Sequence, residues 1–279
     1  ITSTFRAEYA RQLIPELESA IQNEQPYVAT NAVHALALLG TESALEALEN
    51  WFTKDTESRV QVRLAAAAGC RAIFEDVAQQ NLRIQDKQVN STSRELLRSI
   101  EVETDPWVMR RQFEALIAAS RALRQIANDG MANSVLTPEE KLLEALDDVV
   151  SRVKDGDAPN PLMDVLYATL YRMQDWYVRM PAGQSRQAIG KQLAPIVGRV
   201  LEVANQHWNE AQNDQMASRS YGGAVKAAGN LLGVIDEFVR NTNSAPTDSP
   251  DQAWRAGNRE QYERTAQDWL AIITRPPFR

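Results

Sequence analysis

The chain has 279 residues, 44% hydrophobic and 24% charged, the balance of a globular protein with a sizeable core. Its net charge of −7 argues against a general nucleic-acid binder, whose phosphate contacts need a basic surface; cutting after Asp129 leaves 14 basic and 18 acidic residues before and 16 and 19 after, so neither part is basic. The single cysteine, Cys70, excludes an internal disulfide and a thiolate cluster, and no apolar run reaches the ~18 residues of a membrane helix.

Apolar residues recur at helical spacing almost throughout, without the alternation of strands. The spacing predicts helices over 3–22, 26–39, 41–53, 57–79, 91–101, 106–128, 137–154, 161–180, 185–209, 212–240 and 251–273. Pro26 and Pro106 suit a first helical turn, where a missing N–H costs nothing. Thr137, Pro138 and Glu140 have the spacing of a capping box, and Gly40 and Gly130 stand where helices close in a left-handed residue. The segments DGDAPNP (155–161) and NTNSAPTDSP (241–250) combine helix breakers with short polar residues and read as linkers.

Three of these segments share a register. Val28 is followed by Ala32, Ala35 and Leu36 at +4, +7 and +8; Val62 by Ala66, Gly69 and Cys70; Val108 by Gln112, Ala115 and Leu116. The anchors lie 34 and 46 residues apart, the range of helix-pair repeats, and each copy is preceded by another amphipathic segment. The reading is helix, turn, helix, three times over residues 1–130.

That unit resembles a HEAT repeat, whose second helix opens with a turn of the type Asp-Pro-x-Val-Arg and continues with Ala, Ala-Leu and often Gly. DPWVMR (105–110), VRLAAAAG (62–69) and PYVATNAVHALALLG (26–40) carry parts of the pattern. Ala29 and Met109 stand where the family often has the arginine that Arg63 supplies, and Gln25 where Asp105 matches the acid, so the inter-repeat Asp–Arg ladder is incomplete. The resemblance implies an all-α solenoid whose second helices line an inner surface. Residues 131–279 show no repeat in register; they either continue the stack as degenerate repeats or form a helical bundle.

Catalytic and metal chemistry finds little support. Neither His34 nor His207 has metal-ligand company, so no metal or other cofactor is expected. No serine sits in a nucleophile elbow, and Cys70 lies in a small-residue helix where a thiol acts as an inert hydrophobe. Gly222, Gly229 and Gly233 share one helix face, which fits close packing better than a phosphate loop. Met163, Tyr167 and Tyr171 recur at +4, the spacing of a core stripe, although the aromatics of this region can also build a ligand pocket.

One surface carries a functional candidate. On the helix from Pro106, Arg110, Glu114, Arg121 and Arg124 fall opposite the apolar face of Val108, Phe113, Leu116, Leu123 and Ile126. In register, Thr30, Leu64 and Arg110 form one column, and His34, Ala68 and Glu114 another. Leu64 and Ala68 are apolar on a face that should be solvated, so something is expected to cover it: the chain's own second half or a partner. The expected function is a non-enzymatic scaffold that presents this surface to a protein or peptide, with an acidic segment meeting the arginines. The alternative is an enzyme or a nucleic-acid or small-ligand binder on a HEAT-like scaffold. The start at Ile1 rather than Met fits a removed export signal or a trimmed boundary, which leaves cytoplasmic and exported locations both open.

Overall fold

A computed structural model describes residues 3–129, 137–157, 159–240 and 248–278. Among them are thirteen helices and no strand: α1 (Ser3–Ile21), α2 (Pro26–Leu39), α3 (Glu42–Glu49), α4 (Val60–Ala78), α5 (Asp86–Val102), α6 (Pro106–Asn128), α7 (Thr137–Lys154), α8 (Pro159–Val178), α9 (Gln184–Gln206), α10 (Trp208–Asn213), α11 (Gln215–Arg240), α12 (Pro250–Arg255) and α13 (Arg259–Ile273). The chain divides into two compact units, Ile1–Ala145 and Leu146–Arg279.

In the first unit three helix pairs stack in two rows. α2 packs on α4 and α4 on α6, forming a second row, while α1, α3 and α5 form a first row beside them. Pairing is required because each second-row helix is apolar on more than one side. Val62, Ala66, Gly69, Cys70 and Phe74 of α4 are all buried, and α4 cannot hide them against one neighbour. The residues in register behave alike: Ala32, Leu36, Ala66, Cys70, Gln112 and Leu116 lie in the core.

Small residues set the spacing of the rows. A β-carbon on Gly69 would stand 2.9 Å from the Ala37 β-carbon, so α2 and α4 meet here nearly backbone to backbone. Gly40 closes α2 in the left-handed conformation at φ +57°, and a β-carbon there would also collide with Leu82.

Polar side chains tie successive pairs together. Arg59, at the N-terminus of α4, donates to the carbonyls of Ile21 (2.9 Å) and Asn23 (2.7 Å), which the end of α1 leaves without helical partners. Its guanidinium also meets Glu57 at 2.6 Å. Burial would raise the Glu57 carboxyl, but the Arg59 hydrogen bonds and the charges of Arg59 and Arg63 hold it below its ordinary value.

Arg63, buried, reaches Glu103 with two parallel bonds, Nε to Oε2 at 2.8 Å and Nη2 to Oε1 at 3.0 Å. Its Nη1 donates to the carbonyls of Glu57 and Ser58. The acid that Arg63 finds is therefore Glu103; Asp105, two residues on, caps α6 by accepting from the Trp107 and Val108 amides. Gln112, in a column otherwise held by alanine, donates to Phe52 O and Ser99 Oγ at 3.0 and 2.7 Å, joining α6 to its partner α5 and to the turn after α3.

In the second unit α11 packs against α8, α9, α10 and α12, and α13 against α9 and α12. Trp208, Tyr221, Trp254 and Tyr262 form a buried aromatic knot, with Tyr262 Oη donating to Leu201 O at 2.8 Å.

Several expectations are corrected. The predicted helix 91–101 runs from Asp86, because the polar start of α5 still buries Val89 and Asn90. The predicted final helix breaks at Gly257, whose φ of +64° no helix interior adopts, and 185–209 ends at His207. Tyr167 and Tyr171 are exposed rather than core; Tyr167 lies along Gly223 instead of pointing inward. Of the three glycines on one face of α11, Gly222 abuts Trp254 and Gly229 abuts Pro250, but Gly233 faces open space. Gly130, the Thr137 side chain and residues 241–247 lie outside the described residues.

Candidate protein-docking surface

The predicted residues lie on the three second-row helices, with different degrees of access. His34 is exposed on α2. Leu64 and Ala68 on α4 are half-buried. On α6, Arg110 and Arg121 are half-buried as well.

Glu114 is different. It is buried, and its Oε2 accepts from Arg71 Nη1 and Arg111 Nη1, both at 2.6 Å. Burial alone would lower the Arg71 guanidinium, but the Glu114 hydrogen bond and the charges of Glu75 and Glu114 outweigh it and raise it. The whole run from Gln112 to Ser120 is buried, so the solvated stripe expected along α6 stops after its first turn and a half.

Arg124 is also tied down. Its Nε donates to Glu139 Oε1 at 3.0 Å, across to the first turn of α7. Burial pushes the Arg124 guanidinium down and the Glu139 carboxyl up, as expected when a poorly hydrated pair stabilises each other incompletely. Glu114 and Arg124 therefore hold the fold together and are not free to receive a partner.

What remains open lies at the N-terminal ends of the second row and along α2 and α4. Tyr27 and Trp107 are 65% and 63% exposed, each one residue after the proline that starts its helix. The Arg110 guanidinium sits 5.0 Å from the centre of the Trp107 ring and makes no ion pair among the described residues. Leu38, 86% exposed, projects from the last turn of α2. None of these three apolar residues was singled out from sequence. Their signal was nonetheless present for two of them: Tyr27 and Trp107 occupy the same place in the register, immediately before the valine anchors.

Charge is divided between the rows. α2, α4 and α6 carry six arginines against three acids, whereas α1, α3 and α5 carry five basic residues against nine acids. Counted by helix the second row is the less acidic of the two, with Arg63 and Arg124 paired to Glu103 and Glu139 outside it.

A half-buried carboxylate lies on the first row. Burial raises Glu49 on α3, although it accepts from Thr92 Oγ1 at 2.5 Å and Gln88 Nε2 at 3.1 Å. Cys70 is buried, and burial, followed by the charge of Glu49, pushes its thiol well up.

Residues 6–70 match the family model of HEAT repeats. The match takes in α1, α2, α3 and the first half of α4, the two helix pairs that Arg59 joins. No curated protein and no solved structure matches the chain. Residues 6–70 are thus similar to HEAT repeats, the chain is a helical repeat over that stretch, and no described helix is long and apolar enough to cross a membrane. HEAT repeats are typical of proteins that serve as interaction scaffolds.

Proposed function

We propose that the first unit is a docking module whose second row receives an acidic, partly apolar segment of a protein partner. The observation that carries this reading is Arg110: an unpaired guanidinium held over an exposed tryptophan, on the less acidic of the two rows. Tryptophan, tyrosine and arginine are the residue types enriched among the hot spots of protein interfaces. His34, Leu64 and Tyr27 extend the contact along α2 and α4, and Arg121 adds charge on α6. Glu114 and Arg124 serve by fixing Arg71, Arg111 and α7 in place.

A partner that aligns a carboxylate on Arg110 gains a charge-assisted hydrogen bond, and the same guanidinium, already ordered by Trp107, gives up little entropy. The test is an array of immobilised 15-residue peptides varying in acidic and aliphatic content, probed with the full chain. Acidic–aliphatic peptides are expected to retain it, and Arg110→Glu with Trp107→Ala to weaken retention at least tenfold. Equal retention by neutral and acidic peptides, or by parent and variant, would remove the basis for this function.

A further inference from the structure

Two contiguous cavities open at the C-terminal ends of α2 and α4, away from Arg110. One, of about 480 Å³, is lined by Ala37, Leu38, Ala68, Gly69, Ala72, and Ile73, with Arg6, His34 and Asp76 at its edge. The other, of about 530 Å³, is lined by Thr41, Glu42, Ser43, Gln80 and Arg83. Arg6, Gly40, Asn81 and Leu82 belong to both, so they form one cleft with an apolar half and a polar half.

The apolar half exists because α2 and α4 touch through Ala37 and Gly69, which leaves a floor of small side chains with Leu38 standing beside it. The polar half carries two guanidiniums, Arg6 and Arg83, against the one carboxylate of Glu42. Arg6 and Arg83 make no ion pair among the described residues. Glu42 accepts from the Gln85 amide at 2.7 Å, and Asp76, at the edge of the apolar half, from Asn81 Nδ2 at 3.3 Å. Arg6 stands at the divide, its Nη1 3.5 Å from where a β-carbon on Gly40 would lie. An arginine left without a carboxylate at the rim of an apolar depression calls for an anion beside an apolar group.

We infer that this cleft takes an aliphatic side chain followed by an acidic residue in a peptide, the aliphatic group on the Ala68–Ala72 floor and the carboxylate on Arg6 and Arg83. The inference rests on the docking reading above and gives it a second anchoring point. A peptide fits better than a free amphiphile. A small ligand needs a site that encloses most of its surface, whereas Leu38, Ala72, Asn81 and Arg83 are themselves exposed around this cleft.

The experiment uses the full chain and the peptide that the array retains most strongly, labelled with fluorescein and followed by anisotropy. Ala72→Trp fills the apolar half and Arg6→Glu reverses the cation; neither residue is in the core, and circular dichroism checks that each variant keeps its helices. Each substitution is expected to weaken binding at least tenfold. Replacing the peptide's aliphatic residue by Ser should abolish the further effect of Ala72→Trp. If both variants bind like the parent while Arg110→Glu is weakened, the cleft inference is overturned and the docking surface stands. If Arg110→Glu also binds like the parent, both readings fall. Displacement of the peptide by laurate at lower concentration than by unlabelled peptide would overturn the choice of occupant.

Discussion

At the scale of single residues, the pairs that join repeats do so through different chemistry at each junction. Between the first and second pairs, Arg59 satisfies backbone carbonyls at the end of α1; between the second and third, Arg63 and Glu103 form a buried, bidentate ion pair. A buried pair is costly to break from one side, because the survivor keeps its desolvation without its partner. Glu103→Ala is therefore expected to lower stability by about 3–5 kcal/mol in urea unfolding followed by circular dichroism. It also frees the Thr104 and Asp105 amides, both of which donate to Glu103 Oε1 at 2.9 Å. Arg63→Ala should cost a similar amount, and the double variant clearly less than the two losses added. Additive losses would mean that the two side chains act independently, against the geometry. The sequence offered Arg63 as the ladder residue, and the acid it offered was Asp105. The reason for the difference is local: Asp105 is consumed as the cap of α6, which leaves Glu103 to turn inward.

At the scale of helices, close packing rather than helix propensity decides what α4 tolerates. Alanine exceeds glycine in a helix interior by about 1 kcal/mol, so Gly69→Ala would stabilise an isolated α4. In the stack, the new β-carbon would lie 2.9 Å from Ala37 and 3.3 Å from Leu48, and Ala37 has no rotamer by which to withdraw. Overpacking of this kind costs about 1–3 kcal/mol, so a net loss near 1 kcal/mol is expected, seen as a lower melting temperature. Gly233 in α11 meets nothing within 4 Å, and Gly233→Ala should gain about 0.5–1 kcal/mol. A rise in melting temperature for both variants would show that α2 and α4 are free to separate.

The same contrast explains what sequence could reveal about the helices. A period of 3.6 marks which side of a helix is apolar, and with it the register of α2, α4 and α6 was legible. It carries no information on how many neighbours cover the other sides. Glu114 of α6 is therefore buried where pattern alone placed a solvated stripe. Tyr167 shows the reverse error: its +4 spacing fits a core stripe, yet it is exposed beside Gly223.

At the scale of the molecule, the question is whether a chain of net charge −7 can attract an acidic partner at all. The answer depends on range. In 0.15 M salt, exposed charges more than about 8 Å apart are largely screened, so a partner on the second row responds to nearby arginines more than to the acids of the first row. Two predictions separate local from global charge. Raising the salt from 0.05 to 0.5 M should slow association of the acidic peptide by an order of magnitude and change dissociation much less, since screening acts on encounter. Glu16→Lys with Glu46→Lys, both exposed on first-row helices, changes the net charge from −7 to −3. At 0.15 M salt it should alter the association rate less than twofold, whereas Arg110→Glu, a change of two charges, should exceed it. Stopped-flow anisotropy measures both. If the first-row variant accelerates association as strongly as Arg110→Glu slows it, attraction follows the total charge, and the division of charge between the rows has no part in recognition.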